Sequence, residues 1–462
     1  MNQPRIGLLP LYVALYDRVL PGLREKVVPL VAQVQEQFQA RGVAVTASPV
    51  CCVHAEIAAA LAQFDKENVD LVVTVHLAYS PSLESADLLA ASALPLLLLD
   101  ITPAAAFPRD AAPELLLYNH GIHGVQDLAT MLRRRGKSYD VIAGHLSDAA
   151  IMERAVALAR AACAARRLKQ TRALCIGGAF EGMGDFRIEA AVLRRTLGIT
   201  AETIAPAALG PSAEKVSEAE IEAERQLDLQ RYRAEISAEV HRRSLRLGLG
   251  LRHYLAQHNY NAFSLNFDAF RESEGPVNTV PFLECCKAMA RGTGFAGEGD
   301  VLTAALVAAL AAGYGLTSFA EMFCPDWAGG SVFISHMGEF NPELAAAQPL
   351  LYEKEYGLSP ARNPAALGLA PRPGPATLVN LAPGPDDTFR LIVAPVDVLE
   401  DATHPEFQKW VRGWFRPRLP LGPFLERFSQ LGGTHHSALV LGEHAESLLQ
   451  FARLIGAEGC RM

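Results

Sequence analysis

The sequence has no run of 18 or more apolar residues, so no segment is long enough to cross a bilayer as a helix. The stretch Met1 to Leu9 is too short for a secretory leader with its apolar core and cleavage site, and a cytoplasmic location is expected. An excess of basic residues is also missing. Lys and Arg total 42 against 50 Asp and Glu, a formal net charge of −8, which argues against a nucleic-acid binder. None of the 8 cysteines shows C-x-x-C spacing, which removes zinc ribbons and dithiol redox sites. The adjacent pairs Cys51-Cys52 and Cys285-Cys286, like Cys163 and Cys175, read as reduced, mostly buried thiols. The turn with Gly177, Gly178, Gly182 and Gly184 does not follow G-x-G-x-x-G, so no phosphate cradle is expected there. There is no internal repeat and no low-complexity tail.

What is present reads as a soluble globular chain. Its 462 residues, 50% hydrophobic and 20% charged, are too many for one ordinary core, so two or three domains are expected. Short apolar runs at Arg5 to Leu9, Val43 to Ser48, Asp70 to Val75, Leu94 to Leu99 and Tyr139 to Ala143 alternate with helical spacing, as at Leu20 to Ala40 and Ile57 to Phe64. That rhythm predicts a doubly wound α/β domain with a parallel sheet. A long Ala/Arg-rich helix from Asp148 to Leu168 leads to a second α/β unit. It opens on the strand Arg172 to Ile176 and includes a charged helical block, Glu214 to His258. Beyond Phe319 Pro and Gly become frequent, and runs such as Thr377 to Leu381 and Phe389 to Val393 predict a β-rich C-terminal domain. The expected domains are 1–168, 169–318 and 319–462.

The residues that carry chemistry lie mostly in the last two. Gly297-Glu298-Gly299-Asp300 precedes an Ala-rich helix, Ser318-Phe319-Ala320-Glu321 follows it, then come Ser335-His336-Met337 and the doublet His435-His436. Two carboxylates and two imidazoles form a hard, oxygen-rich set that suits Mn²⁺, Co²⁺ or Mg²⁺ with positions left open for substrate oxygens. Glu321, set among Phe319, Met322 and Phe323, is the hardest to read as structural, because an unpaired buried carboxylate is costly. Glu298 could be only a negative charge at a helix N-terminus, and His336 a satisfied core histidine.

These blocks, taken in order, resemble the L-arabinose isomerase family and the wider L-arabinose/L-fucose isomerase superfamily. Asn119-His120-Gly121-Ile122-His123-Gly124 is similar to the family's N-Q-x-x-H-G, and Val141 to His145 to its V-V-x-G-H strand. Gly184-Asp185-Phe186-Arg187 resembles G-D-N-M-R, and Gly297 to Leu306 resembles A-E-G-D-W-K-T-A-A-L. Ser318 to Glu321, Ser335 to Met337 and Gly432 to His436 resemble S-F-M-E-D, G-S-H-M and G-G-x-H-H. The resemblance implies an aldose–ketose isomerase with two α/β domains and a C-terminal β-barrel-like domain. It implies Glu298, Glu321, His336 and His436 as metal ligands, with both glutamates also moving protons between C1 and C2 through a cis-enediol. It further implies that His123, with His120 beside it, reaches the substrate near His336 in a neighbouring subunit, as in a homohexamer. The chemistry agrees on its own terms. Moving a carbonyl from C1 to C2 needs a base beside the carbon and positive charge at the developing enediolate.

Departures from the pattern fall around the sugar. Leu9-Pro10-Leu11-Tyr12-Val13 stands where the family has a block with a sugar-touching Gln. Val75-His76-Leu77-Ala78-Tyr79-Ser80-Pro81 stands where the family has the aromatic-rich W-M-H-T-F-S-P, and Met322-Phe323 follow Glu321 in place of Asp-Tyr. This predicts a more apolar substrate shell and a deoxy or otherwise modified sugar. A metal-dependent lyase or hydrolase on a sugar-like substrate, and a catalytically idle sugar-binding homologue, are the competing readings.

Overall fold

The computed structural model describes residues 3–462, and the chain divides into two compact units between Cys163 and Ala164. In the first unit β1 (Arg5–Leu11), β2 (Ala44–Ala47), β3 (Leu71–His76), β4 (Leu96–Ile101) and β5 (Asp140–Gly144) form a parallel 5-stranded sheet in the order β2-β1-β3-β4-β5. The inner strands β3 and β4 are nearly continuous apolar runs, as a parallel sheet buried on both faces requires. Their core is completed by Ile57, Phe64, Leu128 and Leu132 from helices. The chain leaves β1 toward β2 on one side and β3 on the other, so a crevice opens outside their carboxyl ends.

The helix Ile122–Arg134 starts tight against that crevice. A Cβ on Gly124 would lie 2.6 Å from His76 Nδ1, and one on Gly121 would lie 2.4 Å from the His76 carbonyl oxygen. Only glycine permits this approach, and it places His120 and His123 at the start of the helix. Sequence spacing predicts one helix over 20–40, but there are two, Leu23–Val27 and Pro29–Gln39. Pro29, which has no N–H to continue the first helix's hydrogen-bond ladder, marks the break, while Val28 between the two keeps helical angles.

The second unit holds another parallel sheet, of β6 (Arg172–Ile176), β7 (Thr200–Ile204), β9 (Ala262–Leu265) and β10 (Gly294–Gly297) in the order β10-β9-β6-β7. The block expected as one charged helical stretch, 214–258, contains the helices Glu218–Arg231 and Ala238–Gln257 with β8 (Arg233–Glu235) between them. That strand joins a small sheet with β13 (Leu350–Glu353) and β14 (Ala365–Gly368). A separate C-terminal sheet comprises β11 (Thr317–Asp326), β12 (Ser331–His336), β15 (Gly374–Pro383), β16 (Phe389–Val398), β17 (Val411–Pro417), β18 (His436–Leu441) and β19 (Glu458–Arg461). Its order is β15-β18-β11-β12-β17-β16-β19, and β15 also pairs with β16. It is a mixed sheet, because β19 runs parallel to β16 while the other pairings are antiparallel. The barrel expectation is therefore met at the coarser level of a separate β-rich sheet. Two helices, Leu421–Gln430 and Ala445–Leu454, persist in this region. Among the described residues no helix is long and apolar enough to cross a membrane.

Candidate metal centre

Three neighbouring strands and one turn carry the ionisable cluster. Glu321 sits in β11 directly across from His436, the first residue of β18, and across from Ser335 on its other side, with His336 ending β12. Glu298 follows β10 in the turn before the buried helix Val301–Tyr314. Its φ is +63°, a left-handed conformation uncommon for a side-chain-bearing residue, and its carbonyl accepts the Phe180 N–H at 2.8 Å. Such strain costs on the order of 1–3 kcal/mol and persists where the surroundings over-determine it. Here the conformation brings a carboxylate against the histidines.

His436 Nε2 and His435 Nε2 each lie 3.3 Å from Glu298 Oε2, and His336 Nε2 lies 3.7 Å from Glu321 Oε2. Donor atoms of Glu298, His435 and His436 all fall within 4.8 Å of one another, as do those of Glu321, His336 and His436. The two sets share His436. Phe319 presents its ring edge-on to both His336 and His436, at 4.8 and 4.9 Å between centroids, which fills the floor of the cluster with an apolar wall. Gly297 is required beneath it, since a Cβ there would stand 2.9 Å from His336 Cε1.

The far nitrogen of each buried histidine is held by a buried carboxylate. His336 Nδ1 is 2.8 Å from Glu339 Oε2, and His436 Nδ1 is 3.1 Å from Asp300 Oδ2. Asp300 also caps the following helix, accepting the Thr303 N–H at 2.9 Å. Each brace fixes the ring so that Nε2 faces the cluster. His436 Nε2 is buried, and although it lies close to Glu298 its geometry makes no hydrogen bond. An orphaned buried imidazole nitrogen beside two carboxylates and a second oriented imidazole is what a divalent cation would satisfy, so the donor set fits a metal.

The electrostatics separate the two glutamates. Burial opposes ionisation of Glu298, but His435, His436 and His336 outweigh it and hold the carboxyl well below its usual range. Burial dominates at Glu321 and raises it despite the same histidines. Burial lowers proton affinity at His436, yet Asp300 and Glu298 prevail and lift it to about 9. His336 is likewise raised, with Glu339 overcoming burial.

Against these positions the chain matches two family models, the L-arabinose isomerase central domain over residues 184–313 and the L-arabinose isomerase C-terminal domain over residues 316–458. The chain belongs to the L-arabinose isomerase family. An L-arabinose isomerase of Nocardioides sp. is 29% identical over 353 residues, covering 74% of this chain and 69% of its own. That of Herpetosiphon aurantiacus is 29% identical over 361 residues, covering 74% and 70%. That of Geobacillus thermodenitrificans is 33% identical over 229 residues, covering 47% and 44%. A sugar-binding protein of a sugar ABC transporter from Bacillus halodurans aligns over 70% of this chain and 90% of its own at 9% identity, with a TM-score of 0.16, too low to bear on the fold.

Within this family member the structure places Glu321 and His336 in one donor group with His436, and Glu298 with His435 in a second group that shares His436. His120 and His123 lie in the first unit, their rings 4.2 Å apart in an edge-to-face contact, with Tyr79 6.5 Å from His120. Several residues escape sequence reasoning. Glu339 follows His336 by three positions, a spacing that could have flagged it. Asp185 lies 2.7 Å from His435 Nδ1 and accepts the His435 backbone N–H at 3.0 Å, and Phe186 stacks on His436 at 5.2 Å. Nothing local in the sequence announces those long-range pairs.

The apolar-shell expectation needs correction. Leu11 belongs to the core of the first unit, Leu77 is buried, and Met322 packs on the C-terminal core. The register of β11 against β12 shifts between Met322 and Cys324, and Phe323 at that bulge is exposed, alone among Leu11, Leu77, Met322 and Phe323.

Proposed function

We propose that this chain is a divalent-metal-dependent aldose–ketose isomerase acting on a free sugar, with Mn²⁺ as the metal and Co²⁺ or Mg²⁺ as substitutes. The observation that carries the proposal is that Glu298, Glu321 and His336 fall in two donor groups sharing His436, with His336 and His436 both braced and one buried ring nitrogen without a hydrogen bond. These four would hold the ion, which when bound supplies positive charge that polarises the sugar carbonyl and stabilises negative charge at O1 and O2.

The chain's own groups account for the protons. Glu298 takes the proton from C2 of the aldose, and Glu321 returns one to C1. The O2 hydroxyl proton passes to O1, and a proton moving from Glu298 to Glu321 restores both carboxyl groups. Nothing enters or leaves, so aldose and ketose are isomers. His336 and Phe319 bound the reacting end of the sugar, and the burial of the cluster keeps bulk water from the enediol.

His120 and His123 complete the site from a neighbouring subunit of a homohexamer. Their support is the match to the family block and their position at the mouth of the first unit's crevice, with no hydrogen-bonding partner for either ring among the described residues. A cytoplasmic role in carbohydrate metabolism, and domains at 1–168, 169–318 and 319–462, belong to the same reading. A deoxy or modified sugar is proposed as substrate. Its support is the absence of Gln from 9–13 and the exposed Phe323 two residues beyond Glu321.

Chelation followed by Mn²⁺ addition tests the proposal. Activity in a ketose-sensitive assay should vanish and return, with product mass equal to substrate mass. A metal-independent reaction, or a product of different mass, would overturn it.

A further inference from the structure

A cavity of about 590 Å³ lies wholly in the second unit, lined by residues of β6, β7, the loop after β6 and the start of the helix Val301–Tyr314. Its floor is the sheet, where Cys175 of β6 and Thr203 of β7 are paired across the strands and Ala201 shares their face. Its roof is the loop itself, which turns through Gly177, Gly178 and Gly182, all at positive φ. Phe186 serves both the metal cluster and the cavity, stacked on His436 with 13° between planes while contributing to the cavity wall.

We propose that this cavity is a second binding site for a small neutral polyol, separate from the metal centre. Position argues first. In open parallel sheets ligands collect outside the carboxyl ends of the strands where the chain order reverses, and the chain here leaves β6 toward β7 on one side and β9 on the other. The volume falls within the roughly 300–1,000 Å³ of small-molecule sites.

The chemistry of the wall selects the ligand. Glu181, Arg187 and Glu189 ring the cavity, all exposed, and none of their side chains has a partner among the described residues. Two carboxylates and one guanidinium sum to −1. The uncapped N-terminus of helix Ala190–Leu197 adds a partial positive charge of roughly half a unit, whereas that of Val301–Tyr314 is already capped by Asp300, which leaves the cavity slightly negative and unsuited to an anion. An anion would face two carboxylates, whereas a polyol can donate hydroxyls to Glu181 and Glu189 and accept from Arg187. The uncapped first turn of Ala190–Leu197 offers further N–H donors. Phe186, Ile188 and Val301 supply apolar surface for the C–H faces of such a chain.

Ribitol, an open-chain pentitol without a carbonyl, is the probe. Calorimetric titration of the full chain in EDTA, which removes any metal-held binding, should show ribitol bound at one site. Thr203→Trp, on the exposed face of the edge strand β7, should fill the cavity and abolish that binding. Arg187→Met should weaken it about tenfold, the loss expected for hydrogen bonds to a charged group. The exposed Arg187 makes this variant decisive if Thr203→Trp fails to fold. No ribitol binding in EDTA, unchanged affinity in Arg187→Met, or displacement of ribitol by inorganic phosphate would each overturn the proposal.

Discussion

Two histidine pairs divide this molecule instructively. His336 and His436 in the second unit are buried, and each has its far nitrogen gripped by a buried carboxylate. His120 and His123 in the first unit touch one another, with no carboxylate at either ring among the described residues. The first pair is pre-oriented by its own chain, and the buried Nε2 of His436 is left without a hydrogen bond, a costly arrangement that the proposed ion would relieve. The second pair is left with free nitrogens at the edge of a crevice, as groups are whose partner arrives from elsewhere. A braced imidazole indicates a completed ligand, and an unbraced one at a surface indicates a contact still to be made.

The largest effect should come from breaking the first pair. If the proposed site is right, His436→Ala and Glu298→Gln should each lower kcat by a factor on the order of 10³ or more and reduce the metal held, His436 as a proposed ligand and Glu298 as both ligand and base. Elemental analysis beside steady-state kinetics checks this. A variant that keeps full metal content and near-normal kcat would remove Glu298 or His436 from the site.

The braces should matter next. Asp300→Asn and Glu339→Gln leave all four proposed ligands in place but loosen the hold on His436 and His336. Metal affinity should fall about 10- to 100-fold, with activity recovered at raised Mn²⁺. Titration of apo protein followed calorimetrically measures it. Equal affinities in wild type and both variants would mean that the carboxylates only satisfy buried rings.

Smaller still is the expected cost at the second pair. His123→Ala should raise KM about tenfold while metal content stays at the wild-type level, as for a contact that binds substrate without holding the ion. Light scattering joined to activity sharpens the contrast, because a fully active monomer would leave His120 and His123 without a neighbour to serve.

How far this contrast could be read beforehand depended on the range of the interaction. The strands β1, β3 and β4 are visible as apolar runs because a parallel sheet buries both faces, and the four proposed ligands stand in short blocks that resemble a family pattern. The braces were hidden. Asp185 and His435 are 250 residues apart, and Asp300 and His436 are 136 apart, so only the folded chain brings them together. The apolar shell expected at Leu11, Leu77, Met322 and Phe323 is not legible in sequence, because packing in the folded chain takes up the first three, a tertiary outcome that residue type alone does not specify. The helix break at Pro29 was legible in principle, for the proline carries its own explanation.

A further histidine, His76, supplies the most specific prediction. It is buried at the end of β3, its Nδ1 2.7 Å from Ser80 Oγ and its Nε2 3.4 Å from Thr74 Oγ1. Burial pushes its proton affinity down to about 3 from 6.5, with only the nearby Asp127 pulling the other way. Between those values the unfolded chain holds a proton at this position that the folded chain does not. Stability of the first unit should therefore fall as pH drops from 6.5 toward 3, at about 1.4 kcal/mol per pH unit, and this contribution should be flat above 6.5. Hydrogen exchange of the peptide covering β3, corrected for its intrinsic pH dependence, reports this in the unit concerned. His76→Gln cannot take up the proton, so its protection should decline less steeply than wild type between pH 6.5 and pH 4.5. Parallel declines would assign the acid sensitivity of this sheet to its carboxylates instead.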